Sequence, residues 1–201
     1  MLLFKEVEEM STTNNANNVT AGKPRIAGSI YRAATSASLP TTADATLGGA
    51  FKSLGYISED GVKNNNSPET EDIKAWGGDI VLNTLTGKED KFTFKLLEAM
   101  NTDVLSAVYN SGNVTGDLST GITVKAKAEQ SEAAAYVIDM VLKNGVLKRI
   151  VIPNATVSEV SEIVYADNDA VGYEVTLAAV PDSSGYTHYE YMKQTSPTPA
   201  S

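Results

Sequence analysis

Side chains suited to chemistry are sparse in this sequence of 201 residues: one histidine, His188, no cysteine, and acidic groupings at Glu69, Glu71 and Asp72 and at Asp167 and Asp169. Without cysteine there are no disulfides, thiol nucleophiles or zinc–thiolate centres, and a lone histidine removes any site that needs two. His188 stands between Thr187 and Tyr189 in a strand-like stretch with no nucleophile elbow, and reads as a strand residue rather than the base of a triad. Neither acidic grouping has the spaced ligands, central glycine and distal glutamate of a calcium loop, so both read as solvated acidic loops. Gly22-Lys23 runs into Pro24 with no glycine five residues earlier, and Gly87-Lys88 fails in the same way, so neither is a phosphate-cradling loop. The expectation is a chain with no catalytic residue, no metal site and no cofactor.

The elements that would have to position any site are mostly strands. Phe92, Phe94 and Leu96 alternate with Thr93 and Lys95, which puts the apolar side chains on one face. Tyr136, Ile138, Met140 and Leu142 alternate with Val137, Asp139, Val141 and Lys143 up to Asn144-Gly145, a dipeptide that accepts the positive φ angles of a type I′ turn. A two-residue turn there sets Leu142 opposite Leu147, Ile138 opposite Val151 and Val137 opposite Ile152, with Asp139 diagonal to Lys148. Both faces of that hairpin carry apolar residues, so it should be covered on both sides. A second hairpin is expected over 157–180, turning at Asp167-Asn168-Asp169, with Val171, Tyr173, Val175, Leu177 and Ala179 sharing the buried face of its return strand. A last strand should run from Tyr186 to Met192. One helix stands out: Asn101 or Thr102 can cap it, Asp103 suits its positive end, and Val104, Leu105, Val108 and Tyr109 form its apolar stripe before Ser111-Gly112. These patterns give a mainly β fold, a sandwich or barrel with one flanking α-helix.

Composition narrows the partners. The net charge of −9 argues against ordinary nucleic-acid binding, which needs clustered Lys and Arg to neutralise phosphates. The opening MLLF meets Lys5, Glu6, Glu8 and Glu9 too soon for a signal sequence, and no apolar run approaches a bilayer-spanning length of about 20 residues, so the expectation is folding in the cytoplasm without membrane insertion. On that route the sequons at Asn18, Asn113 and Asn154 are chance. Residues 1–29, with the Asn-rich stretch STTNNANNVTA, read as a flexible N-terminal arm, 30–193 as a single β domain, and 194–201 as a disordered C-terminal tail.

The segments LGYISEDGV (from Leu54), DIKAWGGDIVLNT, KFTFKLLEAMNTDVLSAVYN, YVIDMVLKNGVLKRIVIP, VSEV, AVGYEVTLAA and THYEY follow one another in order up to Tyr191, within a resemblance that covers about Val19 to Met192. As a colinear set they resemble the major tail protein, or tail tube protein, of long-tailed bacteriophages and prophages of Gram-positive bacteria. The resemblance implies a tail-tube-type β-sandwich or barrel with long loops and an arm. Its subunits would form hexameric rings that stack into a tube whose lumen conducts DNA, a structural role in the virion without enzyme activity. Implied partners are the chain itself, a tape measure protein, a tail terminator and a tail-tip complex, with genomic DNA only in passage. The polar run Asn64, Asn65, Asn66, Ser67 and Pro68 is a surface loop on its own reading and an inter-ring stacking loop on the family's. The segment from Ser111 to Gly121, with Asn113 and Asp117, is a second inter-ring candidate. Trp76, ahead of Gly77-Gly78, is a core or subunit-interface anchor, with the core preferred. A secreted β-sandwich adhesin or carbohydrate-binding module shares the alternation but needs an export signal, and a β-rich hydrolase needs a polar constellation that these residues do not assemble.

Overall fold

The computed structural model describes residues 14–26 and 29–195; the arm and tail readings on 1–13, 27–28 and 196–201 lie outside them. In chain order the elements are β1 (Lys23–Pro24), β2 (Ile30–Ala34), β3 (Lys52–Ser53), β4 (Lys63–Lys74), β5 (Ile80–Leu96), α1 (Thr102–Tyr109), β6 (Val114–Thr115), β7 (Thr123–Val124), β8 (Ala134–Val141), β9 (Val146–Val160), β10 (Tyr173–Ala179) and β11 (Tyr189–Gln194). The main sheet is antiparallel in the order β3-β2-β8-β9-β10-β5-β4, with β1 added to β8 and β11 to β9; β6 and β7 form a separate small ribbon. The path is open, with β3 and β4 at its ends, so the sheet does not close into a barrel. Within the stretch read as an arm, Lys23 and Pro24 pair with Val141 and Met140.

Strand alternation sorts the side chains into two cores. On one face Ile30, Phe92, Phe94, Leu96, Tyr136, Ile138, Ile152, Val175 and Leu177 pack with Val104, Leu105 and Ala107 of α1. On the other, Ala33, Ala135, Val137 and Val151 are covered by Phe51, Leu39 and Leu47 from the connection between β2 and β3 and by Tyr189 and Tyr191 of β11. The expectation that the β8–β9 hairpin is covered on both sides is met. Phe92 is fully buried, and truncating such a side chain to Ala costs about 3–5 kcal/mol. The helix begins as its cap predicts: the Asn101 side chain accepts from the Asp103 N–H at 2.9 Å, and Asn110, at φ 69°, ends it.

The β8–β9 register differs by one residue from the sequence expectation. The Asn144-Gly145 turn forms, with φ of 59° and 74° and the Val146 N–H donating to the Lys143 carbonyl. Lys143 is nevertheless an extra residue, because the Leu142 N–H donates to the Val146 carbonyl at 2.7 Å. The ladder therefore runs Val141 with Leu147, Ile138 with Ile150 and Val137 with Val151, and Asp139 faces Arg149. The Arg149 guanidinium, 1% exposed, gives Nε to Asp139 Oδ1 at 2.6 Å and a second nitrogen to Oδ2 at 2.7 Å, and it also reaches the carbonyls of Thr42 and Ala45. Breaking such a buried pair from one side costs about 3–5 kcal/mol, so this contact specifies the register as well as pinning the covering loop.

Candidate functional site

Where a polar loop is expected, the chain instead builds its longest hairpin. Asn64 to Pro68 belong to β4 and pair with Phe92 to Lys88 of β5, so the surface-loop reading of these residues is corrected. Their strand character comes from pairing with β5, since an Asn-rich run has poor strand propensity of its own. The hairpin root is anchored: β10 pairs with β5 from Lys91 to Leu96, and beyond Lys91 the two strands continue as a ribbon with no further sheet neighbour among the described residues. Pro68 suits this position, because β4 is an edge strand.

At the root sits a buried acid. Asp90, 2% exposed, accepts from Asn64 Nδ2 at 2.8 Å on one oxygen, and its other oxygen lies 2.5 Å from both Thr187 Oγ1 and His188 Nδ1. The His188 ring stands edge-on to Phe92 at 5.3 Å. Burial by itself raises the Asp90 pKa, but the hydrogen bonds from Thr187, Asn64 and His188 outweigh it and hold the carboxyl below its usual range. His188 precedes β11 rather than lying in it, and serves to tie the last segment of the chain to the hairpin.

At the far end, Gly77 and Gly78, at φ 129° and 99°, turn the chain in a conformation that side chains disfavour. Trp76 is 107% exposed there, which corrects the preferred core placement. Pairing puts Ile73 with Leu82 on one face of the ribbon, and Thr70 with Leu85 and Lys74 with Ile80 on the other. Ile73, Ile80, Val81, Leu82 and Leu85 are all exposed. An isolated two-stranded ribbon is marginal in water, and this one leaves apolar side chains exposed on both faces. The acids once grouped as Glu69, Glu71 and Asp72 are split by alternation, and Asp72 accepts from Asn83 across the ribbon at 2.7 Å.

The second candidate segment lies apart from this hairpin in the chain. Asn113 is buried and donates to the Tyr109 carbonyl at 2.7 Å and to Glu129. It therefore holds the end of α1 in place. Asp117 is exposed at the β6–β7 turn, where hydrogen bonds from Ser119 and Thr120 lower its pKa to about 2. Sequence reasoning named Asn64 to Pro68 and Trp76, which the hairpin unites. It missed the apolar ribbon faces and the Asp90–His188 tie; the signal for the former was Ile80-Val81-Leu82 directly after a glycine turn.

No helix among the described residues is long and apolar enough to cross a membrane. A family model described as phage tail tube protein matches residues 11–201. A search of curated proteins returned no match.

Proposed function

The chain belongs to the phage tail tube protein family, structural proteins of the virion tail that assemble into a tube, and from that premise we propose that it closes into six-membered rings stacked through the β4–β5 hairpin. The observation that carries this reading is the ribbon beyond Lys91, whose distal part exposes apolar side chains on both faces and is tipped by Trp76. A protein that remained a monomer would gain nothing from that surface and would risk aggregation through it. Six-fold closure follows the resemblance to long-tailed phages; head-to-tail contacts that close by rotation make rings. The open sheet ends would pair between neighbours, so that closure of the whole ring removes edges that the single chain leaves free. A ring sums the net charge of −9 on each subunit, and an acidic lumen would let a genome slide without adhering. Tape measure protein, terminator and tip complex are the partners that this reading implies. The family is not enzymatic, and a structural assembly role replaces the adhesin and hydrolase readings.

Negative-stain electron microscopy of the purified protein across concentration tests this. Hollow tubes with six-fold end-on views are expected, and Trp76→Ala should leave rings that do not stack. Tubes of normal length and abundance from Trp76→Ala would remove the hairpin from the stacking contact.

A further inference from the structure

A stacking hairpin needs a seat, and we propose that the seat is the groove between the 19–23 segment and the β8–β9 turn of a second copy of this chain. The inference rests on the hairpin being the ring-to-ring element. The groove has a volume of about 560 Å³, with Val19, Val141 and Leu142 as apolar wall and Lys23 and Lys143 as its charged groups. The ribbon between 67 and 87 carries four carboxylates, Glu69, Glu71, Asp72 and Asp79, against one cation, Lys74. Tip and groove are thus complementary twice: apolar side chains meet an apolar wall, and an acidic rim meets a basic one.

Charge decides between grooves that shape alone would leave equal. A larger one, about 650 Å³, lies among Leu97, Met100, Leu118 and Val171, but its one charged group is Glu98. Another, about 380 Å³, sets Glu59, Asp60 and Asp139 against the single cation Lys23, which it shares with the proposed seat. An acidic tip would be repelled by the first and most of the second. Among the described residues the Lys143 ammonium contacts the Ala16 carbonyl at 3.5 Å, weaker than a charge pair, which leaves it open to such a partner. Trp76 is fully exposed in its own chain, so the occupant comes from another copy. A Trp buried at the centre of a contact and ringed by charges is the pattern that carries most binding energy in protein interfaces.

The chain has no cysteine, so a pair of introduced thiols reads out contact without background. Ala75→Cys combined with Leu142→Cys, which leaves Trp76 in place, should give a ladder of joined chains when tubes, grown in vitro or purified as tails, are treated with a short bis-maleimide. Either single variant should give none. Lys23→Glu with Lys143→Glu should raise the concentration needed for stacking about tenfold, since each reversed rim charge turns an attraction into a repulsion of similar size. Adding Asp72→Lys and Asp79→Lys should recover most of it. Tubes that form but yield no ladder, and that ignore the lysine reversals, would overturn the seat while Trp76→Ala still reports on the hairpin itself. Shielding of Leu142→Cys from maleimide in the monomer, lost when residues 1–13 are deleted, would make the chain's own N-terminal segment the occupant and also overturn the seat.

Discussion

Asp90 is where a single side chain links the hairpin to the rest of the subunit. It joins Asn64 on β4 to Thr187 and His188 before β11, so three stretches of chain depend on one carboxylate. Its pKa is lowered despite burial, and the sign of the linkage follows: a depressed folded pKa contributes stability that is present above the unfolded value near 4 and is lost as pH falls through the folded one. Asp90→Asn should therefore flatten the acid limb of the stability curve, and it should destabilise the monomer at neutral pH by about 1–3 kcal/mol through poorer hydrogen bonding to a buried group. Urea unfolding at a series of pH values from neutral down to about 3 checks this; parallel curves for variant and parent would assign the acid sensitivity to other carboxylates. None of this cluster is visible along the sequence, because Asp90 and His188 are brought together by topology and not by spacing.

At the scale of elements, what was legible in the sequence is what the chain buries within itself. Tyr136 to Val141 and Tyr173 to Ala179 alternate because one face of each meets the main core, and Asn101 caps a helix that packs there. The β4–β5 hairpin was illegible for the converse reason. Asn64 to Asp72 show no alternation, since neither face of the distal ribbon is buried by the described residues, and a lone Trp reads as core although Trp76 is exposed; on the proposed stacking, the surface that covers it belongs to another copy. The one-residue register difference at Asn144-Gly145 is of another kind: the dipeptide predicts the turn, but nothing in it announces that Lys143 will be extra. Hydrogen exchange separates the two parts of the hairpin. In the monomer, amides near Phe92 on β5, held between β10 and β4, should exchange slowly, while those from about Thr70 to Leu85 should exchange fast because only two strands hold them. In assembled tubes the distal amides should slow by at least tenfold. A distal ribbon already as protected as the root in the monomer would mean that it is self-supporting and does not wait for a partner.

For the whole molecule, assembly must be possible and yet delayed. Among the described residues, neither core cluster draws on one before Ile30. The stretch before it touches the body through β1 on β8, the Lys143 N–H donating to Thr20 Oγ1 at 2.7 Å, the Lys143 ammonium reaching the Ala16 carbonyl at 3.5 Å, and Arg25, whose N–H donates to the Asp139 carbonyl at 3.3 Å and whose guanidinium lies 3.8 Å from the Asp139 carboxylate and donates to the Ala43 carbonyl at 3.3 Å. These contacts stabilise the subunit by only a few kcal/mol, each hydrogen bond contributing about 1 kcal/mol net. On the proposed assembly, a ribbon and an N-terminal stretch that order only at a growing end would carry an ordering cost of about 1–2 kcal/mol per residue fixed, which would oppose spontaneous nucleation and favour extension of an existing tube. Deleting the residues before Gly28 removes one wall of the proposed seat without touching either core. The truncated protein should keep the far-ultraviolet circular dichroism of the parent and melt a few degrees lower, yet fail to grow tubes when seeded with short parental ones. Seeded growth at the parental rate would show that neither the arm nor the groove it helps to form takes part in joining rings. Loss of the folded signal itself would show that β1 contributes more to the sheet than its two residues suggest.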